Sequence, residues 1–368
     1  MFLIETVLFV IIFSAISCRT TLGFVTPRLR PRSSAFPSAF RRAYNSSSQL
    51  KMTSNKLKFV DIGANLLADQ FEGTYFGKER HAPDLDKVVL TRSLESGVTH
   101  IIVTAGTLQE SKDALKFVRR QREVFPGITF GCTVGIHPTR TAQEFGDFTD
   151  QTKICQELVE LVEDGMTDGS VVALGELGLD YDRLEFSDKE SQVQGLHAQF
   201  QAFSGISKPL LPYFYHNRNV GTDLLEAIRQ DPSRQHGVIH SYTDGLELAQ
   251  QFIDLGLYIG LNGCSLKTEE NLEVVKRLPI DKILLETDCP YCEIKATHAS
   301  FKYIQTQFPK KPDKKYDSDS LVKGRCEPCQ IVQVAEVVAG VKGMSVQEVA
   351  DQCYQNSLKL YGWDNNKS

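Results

Sequence analysis

Tryptophan occurs only once in this chain, at Trp363, and beyond the first sixty residues basic side chains are outnumbered by acidic ones. Residues 1–60 hold nine Lys and Arg but a single acid, Glu5. The remainder therefore carries 32 basic and 45 acidic residues, a net charge of −13. This negative net charge argues against binding of a nucleic-acid backbone over a broad basic surface. A phosphate-bearing substrate would have to be held locally, by a metal ion or a few arginines.

The N-terminal region also lacks a run long enough to cross a membrane. Within residues 1–18, the apolar stretch 7–16 has the length of a signal-peptide core, although Glu5 stands where Lys or Arg usually precedes such a core. Residues 19–56 contain no acid, six Arg between positions 19 and 42, and many Ser, which is typical of a transit peptide. We therefore predict two targeting segments, 1–18 and 19–56, ahead of a catalytic body at 57–364.

Together the two segments resemble the bipartite presequence of algae with complex plastids. Ser-Ala-Phe at 34–36 and again at 38–40 looks like its phenylalanine-containing junction. This resemblance implies a plastid protein without a membrane segment in its mature form. A mitochondrial or secretory destination remains open, as does a cytosolic or nuclear product translated from Met52.

From residue 59 onward, short apolar runs alternate with segments in which apolar residues recur every three or four positions. The alternation predicts repeated strand–helix units. We expect strands at 59–63, 100–105, 129–136, 171–176, 209–216, 237–240, 257–261 and 282–287, with helices at 84–96, 108–124, 152–163, 189–204, 219–229, 245–255 and 268–277. Eight such units predict a single (β/α)₈ TIM barrel, an α/β fold, with two extra C-terminal helices at 331–341 and 346–360.

Metal-binding side chains end four of these predicted strands. The apolar run 171–176 suits a strand buried on both faces, yet it ends on Glu176, a carboxylate that is costly to bury alone. His216 and His240 end strands five and six, and Asp288 ends strand eight. Because a barrel gathers the carboxyl ends of its strands at one mouth, we predict that these four side chains bind one or two divalent ions, Mg²⁺, Mn²⁺ or Zn²⁺.

Six short motifs also lie in order along the chain. They are Asp-Ile-Gly-Ala-Asn from Asp61, Gly-Ile-His-Pro-Thr from Gly135, Leu-Gly-Glu-Leu-Gly-Leu-Asp from Leu174, His-Asn-Arg from His216, Ile-His-Ser-Tyr from Ile239, and Glu-Thr-Asp-Cys-Pro from Glu286. In these motifs the chain resembles the TatD family of metal-dependent deoxyribonucleases, and most of all its eukaryotic branch. The resemblance covers residues 59–363.

The resemblance implies that Glu176 bridges two ions, with His216 and Asp288 on one and His240 on the other. Where many family members carry His-x-His on the first strand, this chain has Gly63 and Asn65. We therefore expect one tightly held ion and a second that arrives with substrate. The implied activity is hydrolysis of DNA phosphodiester bonds, as a 3′–5′ exonuclease. The acidic body favours single strands or chain ends as substrate, and we expect a monomer.

A bound divalent ion can lower the pKa of its coordinated water, which then attacks the phosphate. We assign Asp288 as ligand and general base, and Glu176 as the second catalytic carboxylate. Arg218 lies two residues after His216 on an extended strand and so points to the same side, where it would contact a phosphate or form a structural ion pair. His137 near the mouth is a phosphate contact, a donor to a ligand, or purely structural.

Arg325 is a third candidate for phosphate binding. Together with Glu327 it matches an Arg-Asn-Glu-Pro motif of the family, with Cys326 in place of Asn, so the role of that Asn in relatives, such as loop ordering near the mouth, is open here. The nine cysteines include two C-x-x-C pairs, 289 with 292 and 326 with 329. Free thiols are the default interpretation, and a zinc site or a redox switch stays open.

Two other functions remain open at this stage. A metallohydrolase on the same barrel could cleave an amide or ester or deaminate a base, although the absence of His-x-His and the use of Glu176 rather than Lys favour the nuclease form. A non-catalytic scaffold would be expected to have lost metal ligands, and all four are present.

Overall fold

The structure, a computed structural model, describes residues 56–146, 151–206 and 210–364. The predicted segment 1–18 and nearly all of the segment 19–56 lie outside these residues, so the targeting assignments stay predictions.

Eight parallel strands form the barrel, and their order in space follows their order in the chain. They are β1 (Phe59–Ala64), β2 (Val98–Val103), β3 (Thr129–Val134), β4 (Val171–Asp180), β5 (Tyr213–Arg218), β6 (Gly237–His240), β7 (Tyr258–Leu261) and β8 (Ile283–Leu285). The predicted (β/α)₈ barrel is confirmed. A right-handed strand–helix–strand unit places each strand beside the previous one, which explains this simple order.

The last strand meets the first through backbone contacts beyond its own end. The Asp288 N–H donates to the Gly63 carbonyl at 2.8 Å, and the Asn65 N–H donates to the Cys289 carbonyl at 2.8 Å. The barrel is therefore nearly closed by the segment that follows β8. This closure fixes Asp288 against the end of β1.

Helices cover the outside of the barrel, as the three-to-four spacing of apolar residues predicts. They are α1 (Leu90–Glu95), which continues a π-helical turn at Leu85–Val89, then α2 (Leu108–Val124), α3 (Thr141–Phe145), α4 (Thr152–Thr167), α5 (Lys189–Phe203), α6 (Asp223–Arg229), α7 (Leu246–Asp254), α8 (Glu269–Arg277), α9 (Ile331–Lys342) and α10 (Val346–Leu360). The short helix α3 was not predicted. The two C-terminal helices begin where the sequence placed them.

The barrel has two cores. The larger one lies between the strands and the surrounding helices. The smaller one fills the barrel interior and is formed by Val60, Ile62, Ile102, Val172, Ala173, Phe214, Val238, Tyr258, Leu284, Leu360 and Tyr361. Because Leu360, at the end of the last helix, and Tyr361, directly after it, pack into this interior core, they close the end where the strands begin. The polar side chains described below lie at the opposite end.

Among the described helices, none is by itself long and apolar enough to span a membrane. Only the segments Pro328–Lys342 and Val346–Leu360 taken together reach such a length, and they are bent by 112° at their junction.

Candidate metal centre

Strand β4 does not end at Glu176, as the apolar run predicted, but continues to Asp180. Against β5, Gly175 pairs with Phe214 and Leu177 pairs with Tyr215, so Glu176 is an extra residue at a bulge. A bulge bends a strand and redirects one side chain, which explains how an acid in mid-strand points into the mouth. The predicted strand end was wrong because Glu176, Gly178 and Asp180 interrupt the apolar run, although the strand continues through Leu177 and Leu179.

One carboxylate oxygen lies at the centre of the cluster. Glu176 Oε1 is 2.7 Å from Nδ1 of His216, 2.9 Å from Nε2 of His240 and 3.4 Å from Nε2 of His137. The three imidazoles come from β5, from β6 and from the residue before a short helical turn that follows β3. Glu176, His216 and His240 together form a group that could hold a metal ion, in agreement with the sequence prediction for these three residues.

His240 is oriented by a second carboxylate beneath it. Nδ1 of His240 is 3.3 Å from Glu286 Oε2, while Oε1 of Glu286 accepts hydrogen bonds from the Ser241 N–H at 2.6 Å and the Asn262 side-chain amide at 3.1 Å. Glu286 is fully buried. Its contact with Nδ1 leaves Nε2 directed at Glu176, and such a carboxylate–histidine pair is a common support for a metal ligand.

The geometry at His240 fits a cation. Its Nε2 is buried and makes no hydrogen bond of acceptable angle, although Glu176 Oε1 lies 2.9 Å away. A buried imidazole nitrogen that faces a carboxylate oxygen without a proper hydrogen bond is suited to ligating a shared ion once its proton is displaced. Mixed imidazole and carboxylate donors are ligands that divalent metals accept.

Glu176 and His240 carry opposite charges, and each stabilises the charged form of the other. Burial raises the pKa of Glu176, but the charges of His240 and His137 and the hydrogen bonds from His137 and His216 outweigh this and hold the pKa well below its usual value. Burial lowers the pKa of His240, and the charges of Glu176 and Glu286 reverse the effect, so its pKa lies well above the usual value. A divalent cation would take the place of the proton that His240 otherwise carries, so metal binding should release protons.

Asp180 belongs to the centre, and the sequence analysis did not select it. Its Oδ2 is 3.1 Å from His216 Nε2, and Asp180, His216 and His137 form a second group of possible metal ligands. Burial raises the pKa of Asp180, but the hydrogen bond from His216 and nearby positive charges lower it below the usual value. Asp180 lies four residues after Glu176. If the strand had been predicted to continue past Glu176, this even spacing would have indicated that both carboxylates face the same side.

Asp288 follows β8 by three residues, rather than ending it, and lies just outside both ligand groups. Asn65 Nδ2 donates to its Oδ1 at 2.8 Å, and the Cys292 thiol donates to its Oδ2 at 3.2 Å. Burial raises its pKa to about 6, in spite of the opposing charge of His240. Its role as ligand and general base stays a prediction.

Gly63 and Asn65, which replace a His-x-His pair, have other functions here. A Cβ at Gly63 would lie 2.8 Å from Glu286 Oε2, so a side chain there would displace the carboxylate that orients His240. Asn65 donates to Asp288 and accepts a hydrogen bond from the Thr104 hydroxyl at 2.8 Å. The two positions therefore support ligands.

His137 and Arg218 both reach the cluster. His137 Nε2 is 3.3 Å from Nδ1 of His216, and Nδ1 of His137 is 2.7 Å from the Thr139 hydroxyl. Arg218 Nη1 is 3.4 Å from Asp180 Oδ2, and its side chain keeps 29% of its surface exposed. Arg218 therefore lies on the same side of β5 as His216. Its partial exposure leaves it able to contact an incoming phosphate.

The structure contradicts the prediction that Arg325 contacts substrate phosphate. Arg325 is only 1% exposed; its guanidinium makes bidentate hydrogen bonds to Asp84 at 2.9 and 2.7 Å, and it also bonds to Glu327 at 2.8 Å. The guanidinium also donates to the Gln70 carbonyl at 3.0 Å. These contacts join the loops that carry Gln70, Asp84 and Glu327.

The two C-x-x-C pairs do not form a recognisable zinc site. The described residues contain two groups of three or more possible metal ligands, and neither includes a cysteine. Cys326 and Cys329 are buried beside Glu327, and Cys289 is buried below Asp288. The thiol of Cys292 contacts Cys264 instead.

A (β/α)₈ barrel with imidazoles and carboxylates converging at its mouth defines a hydrolase of the metal-dependent barrel class. Residues 60–362 match the family model described as TatD related DNase, and the chain belongs to this family. Divalent metal use is implied by both the family and the site.

The relatives support this assignment. The chain is 35% identical over 308 residues to a protein of Schizosaccharomyces pombe named deoxyribonuclease Tat-D, which covers 83% of this chain and 96% of that one. It is 29% identical over 305 residues to an Erwinia billingiae protein named 3′-5′ ssDNA/RNA exonuclease TatD, covering 82% and 98%. The crystal structure of a TatD family hydrolase from Entamoeba histolytica superposes with a TM-score of 0.76 at 36% identity, covering 84% of this chain and 99% of that one.

Proposed function

We propose that this protein hydrolyses phosphodiester bonds at the 3′ end of single-stranded DNA, with one or two divalent ions held at the barrel mouth. The observation that carries the proposal is the position of Glu176 Oε1, which lies within 3 Å of ligand nitrogens on both His216 and His240. The deoxyribonuclease name of the Schizosaccharomyces relative supports DNA as substrate. The exonuclease name of the Erwinia relative supports the 3′–5′ polarity.

In this proposal Glu176, His216, His240 and Asp288 hold the metal. When bound, a divalent ion supplies a Lewis acid that polarises the phosphate and activates water. Asp288 would accept a proton from the attacking water, because its carboxylate is held at the edge of the ligand groups by Asn65. Asn65 holds the Asp288 carboxylate in place by donating a hydrogen bond to Oδ1, and the Cys292 thiol donates to Oδ2.

Arg218 and His137 have positions that suit substrate phosphate. The Arg218 guanidinium lies 3.4 Å from Asp180 and is partly exposed, so it can turn to the phosphate oxygens as substrate enters. Burial lowers the pKa of His137, and the charge of Glu176 only partly opposes this, so His137 is neutral and can donate one hydrogen bond. Arg218 would therefore attract the phosphate by its positive charge, and His137 would orient the phosphate through one hydrogen bond.

Aromatic residues around the mouth support single-stranded DNA as the substrate. Each strongly exposed Phe or Tyr of the described residues lies in a segment that follows the carboxyl end of β1, β4 or β8: Phe76, Phe186, Tyr291 and Phe301. Bases freed from a duplex stack on exposed aromatic rings with little sequence preference. Tyr291 lies three residues from Asp288 and is 59% exposed, so a terminal base could stack beside the metal.

The proposal is tested with single-stranded and duplex oligonucleotides labelled at the 3′ or the 5′ end. Metal-free protein is assayed after addition of Mg²⁺, Mn²⁺ or Zn²⁺. We expect successive removal of mononucleotides from the 3′ end of the single strand, and no activity in chelator. The Glu176→Gln variant should lose about a thousandfold in rate or more, because it removes the central metal ligand.

The matched control is Glu190→Gln on the exposed face of α5, which should retain full activity. Small amides and aminoacyl-tRNA complete the substrate panel. Hydrolysis of those substrates without cleavage of DNA would contradict the proposal, as would metal-dependent nuclease activity that survives Glu176→Gln.

A further inference from the structure

Two thiols meet at the barrel mouth. Cys264 begins the helical turn Cys264–Leu266 after β7, and Cys292 lies in the segment after β8. Their sulfur atoms are 2.7 Å apart, and Cys264 is partly exposed while Cys292 is 9% exposed. The residues are separated by 28 positions in sequence, and neither C-x-x-C spacing indicates this pair.

The backbone holds both residues in place. Asn262 Oδ1 accepts hydrogen bonds from the N–H of Cys264 at 2.9 Å and of Ser265 at 3.4 Å. Between them, Gly263 lies against the Cys292 carbonyl so closely that a Cβ would be 2.0 Å from its oxygen. Since a disulfide needs its sulfur atoms about 2.05 Å apart, bond formation requires only a small movement of the two side chains.

The pair is connected directly to the metal centre. The Cys292 thiol donates a hydrogen bond to Asp288 Oδ2 at 3.2 Å. Asn65 holds the other oxygen of that carboxylate at 2.8 Å. A disulfide sulfur carries no proton, so oxidation of Cys292 would leave Asp288 Oδ2 without this donor.

We infer that Cys264 and Cys292 form an oxidisable dithiol, which peroxide converts to a disulfide that slows the enzyme. The more exposed Cys264, as thiolate, attacks one oxygen of hydrogen peroxide; the O–O bond breaks, a sulfenic acid forms, and the leaving hydroxide takes up the proton that Cys264 had released and becomes water. The Cys292 sulfur then attacks the Cys264 sulfur, the S–O bond breaks and a second water leaves. Two thiols lose two electrons and two protons, and one peroxide becomes two waters.

The expected change in the rate of DNA hydrolysis rests on the proposed nuclease function, whereas formation of the Cys264–Cys292 disulfide does not. Loss of one hydrogen bond to a carboxylate in the centre should lower the rate of DNA hydrolysis about tenfold. A thiol reductant should restore it, because the bond is reversible and its first sulfur is accessible to solvent.

The full-length protein is stripped of metal, treated with hydrogen peroxide in chelator, desalted, and then assayed with Mg²⁺ or Mn²⁺ before and after dithiothreitol. Peptide mapping by mass spectrometry follows the same samples. We expect a peptide pair joined through Cys264 and Cys292 that is lighter by two hydrogens, together with a reversible loss of activity. Cys264→Ser should be active and insensitive to peroxide. The matched control Cys155→Ser, a partly exposed lone thiol on α4, should respond as the parent does.

Sulfenic or sulfonic acid on Cys264 without a cross-link would overturn the inference, and so would a cross-linked protein with unchanged activity. Peroxide inhibition that persists in Cys264→Ser would also overturn it. If the reduced protein cleaves no DNA, the nuclease proposal fails by itself, and the mass spectrum still decides whether the dithiol closes.

Discussion

His240 is held between two buried carboxylates that have different tasks. Glu176 faces Nε2 on the side of the mouth, and Glu286 faces Nδ1 on the side of the barrel interior. The outer carboxylate is available to an ion, while the inner one is fully engaged with backbone and amide donors. The inner carboxylate therefore selects the tautomer of the imidazole.

Replacing Glu286 with Gln should weaken metal binding by about 10- to 100-fold. The Gln amide nitrogen would face Nδ1 of His240, because the Gln oxygen is needed by Ser241 and Asn262. The imidazole proton would then move to Nε2 and block the ligand lone pair. Isothermal titration of the metal-free protein with Mn²⁺ measures the change.

The matched control is Glu336→Gln, which alters a buried carboxylate on α9 that accepts bonds from Gln305 and Thr306. That variant should lose stability but keep its metal affinity. Equal losses of affinity in the two variants would show that general destabilisation is the cause.

The raised pKa of Asp288 predicts how metal binding depends on pH. Burial keeps this carboxyl protonated below a pH of about 6, and a metal ligand must be ionised. Below pH 6 the protonation of Asp288 should lower the affinity for Mn²⁺ by about a further tenfold for each pH unit, beyond the decrease that the proton on His240 already causes at higher pH. The Asp288→Asn variant should bind more weakly and lose this limb of the profile. An unchanged profile in the variant would remove Asp288 from the ligand set.

The same shift has a consequence for the metal-free fold. Because the folded pKa lies above the ordinary value of 3.8, the stability contributed by protonated Asp288 is fully present below 3.8 and is lost as pH rises through about 6. Metal should therefore stabilise the protein most strongly above pH 6.

At the scale of elements, buried ion pairs join loops that are far apart in the chain. Arg325 connects Asp84, ahead of α1, to Glu327, ahead of α9, and Arg92 on α1 contacts Glu327 at 2.5 Å. These contacts tie the long segment after β8 to the segment after β1. Both segments border the mouth, so the network keeps the rim of the centre in place.

Arg325→Met should reduce the free energy of unfolding by about 3–5 kcal/mol, because it leaves Asp84 without its buried partner. Urea denaturation measures this loss. At a temperature where the variant is folded, kcat and KM for single-stranded DNA should stay close to the parent values. An increased KM without a stability change would restore the original interpretation of Arg325 as a phosphate contact. Arg183→Met, an exposed arginine near the mouth, is the control for stability.

At the scale of the whole molecule, the two ends of the barrel have separate tasks. Leu360 and Tyr361 seal the end where the strands begin, and the ionisable centre occupies the end where they finish. The apolar layer between them includes Phe214 and Tyr258. Stability and chemistry should therefore respond to different substitutions.

Leu360→Ala should lower the free energy of unfolding by about 2–5 kcal/mol, since it opens a cavity in the interior core. The exonuclease rate and the metal affinity of the folded variant should not change, because the substitution lies at the sealed end. Thermal unfolding and the oligonucleotide assay together check this prediction. Val124→Ala, at an exposed position near the end of α2, is the control with no expected effect on either. Loss of activity in folded Leu360→Ala would show that the two ends are coupled.

Local patterns were sufficient to predict the barrel and much of its centre. Each strand and helix has its own apolar periodicity, and parallel strands of a barrel bring their ends together whatever their detailed geometry. The convergence of strand ends predicted that Glu176, His216, His240 and Asp288 lie together. Glu176, His216 and His240 form one group of possible ligands, and Asp288 lies just outside it.

The tertiary structure decided the features that depend on contacts between distant segments. The bulge at Glu176 and the continuation of β4 to Asp180 arise from pairing with β5, which no periodicity within β4 reveals. The burial of Arg325 depends on Asp84, 241 residues away, and the Cys264–Cys292 contact depends on the path of two separate loops. Sequence specifies what each segment tends to form, whereas side-chain partners are set by distances that exist only after the barrel has closed.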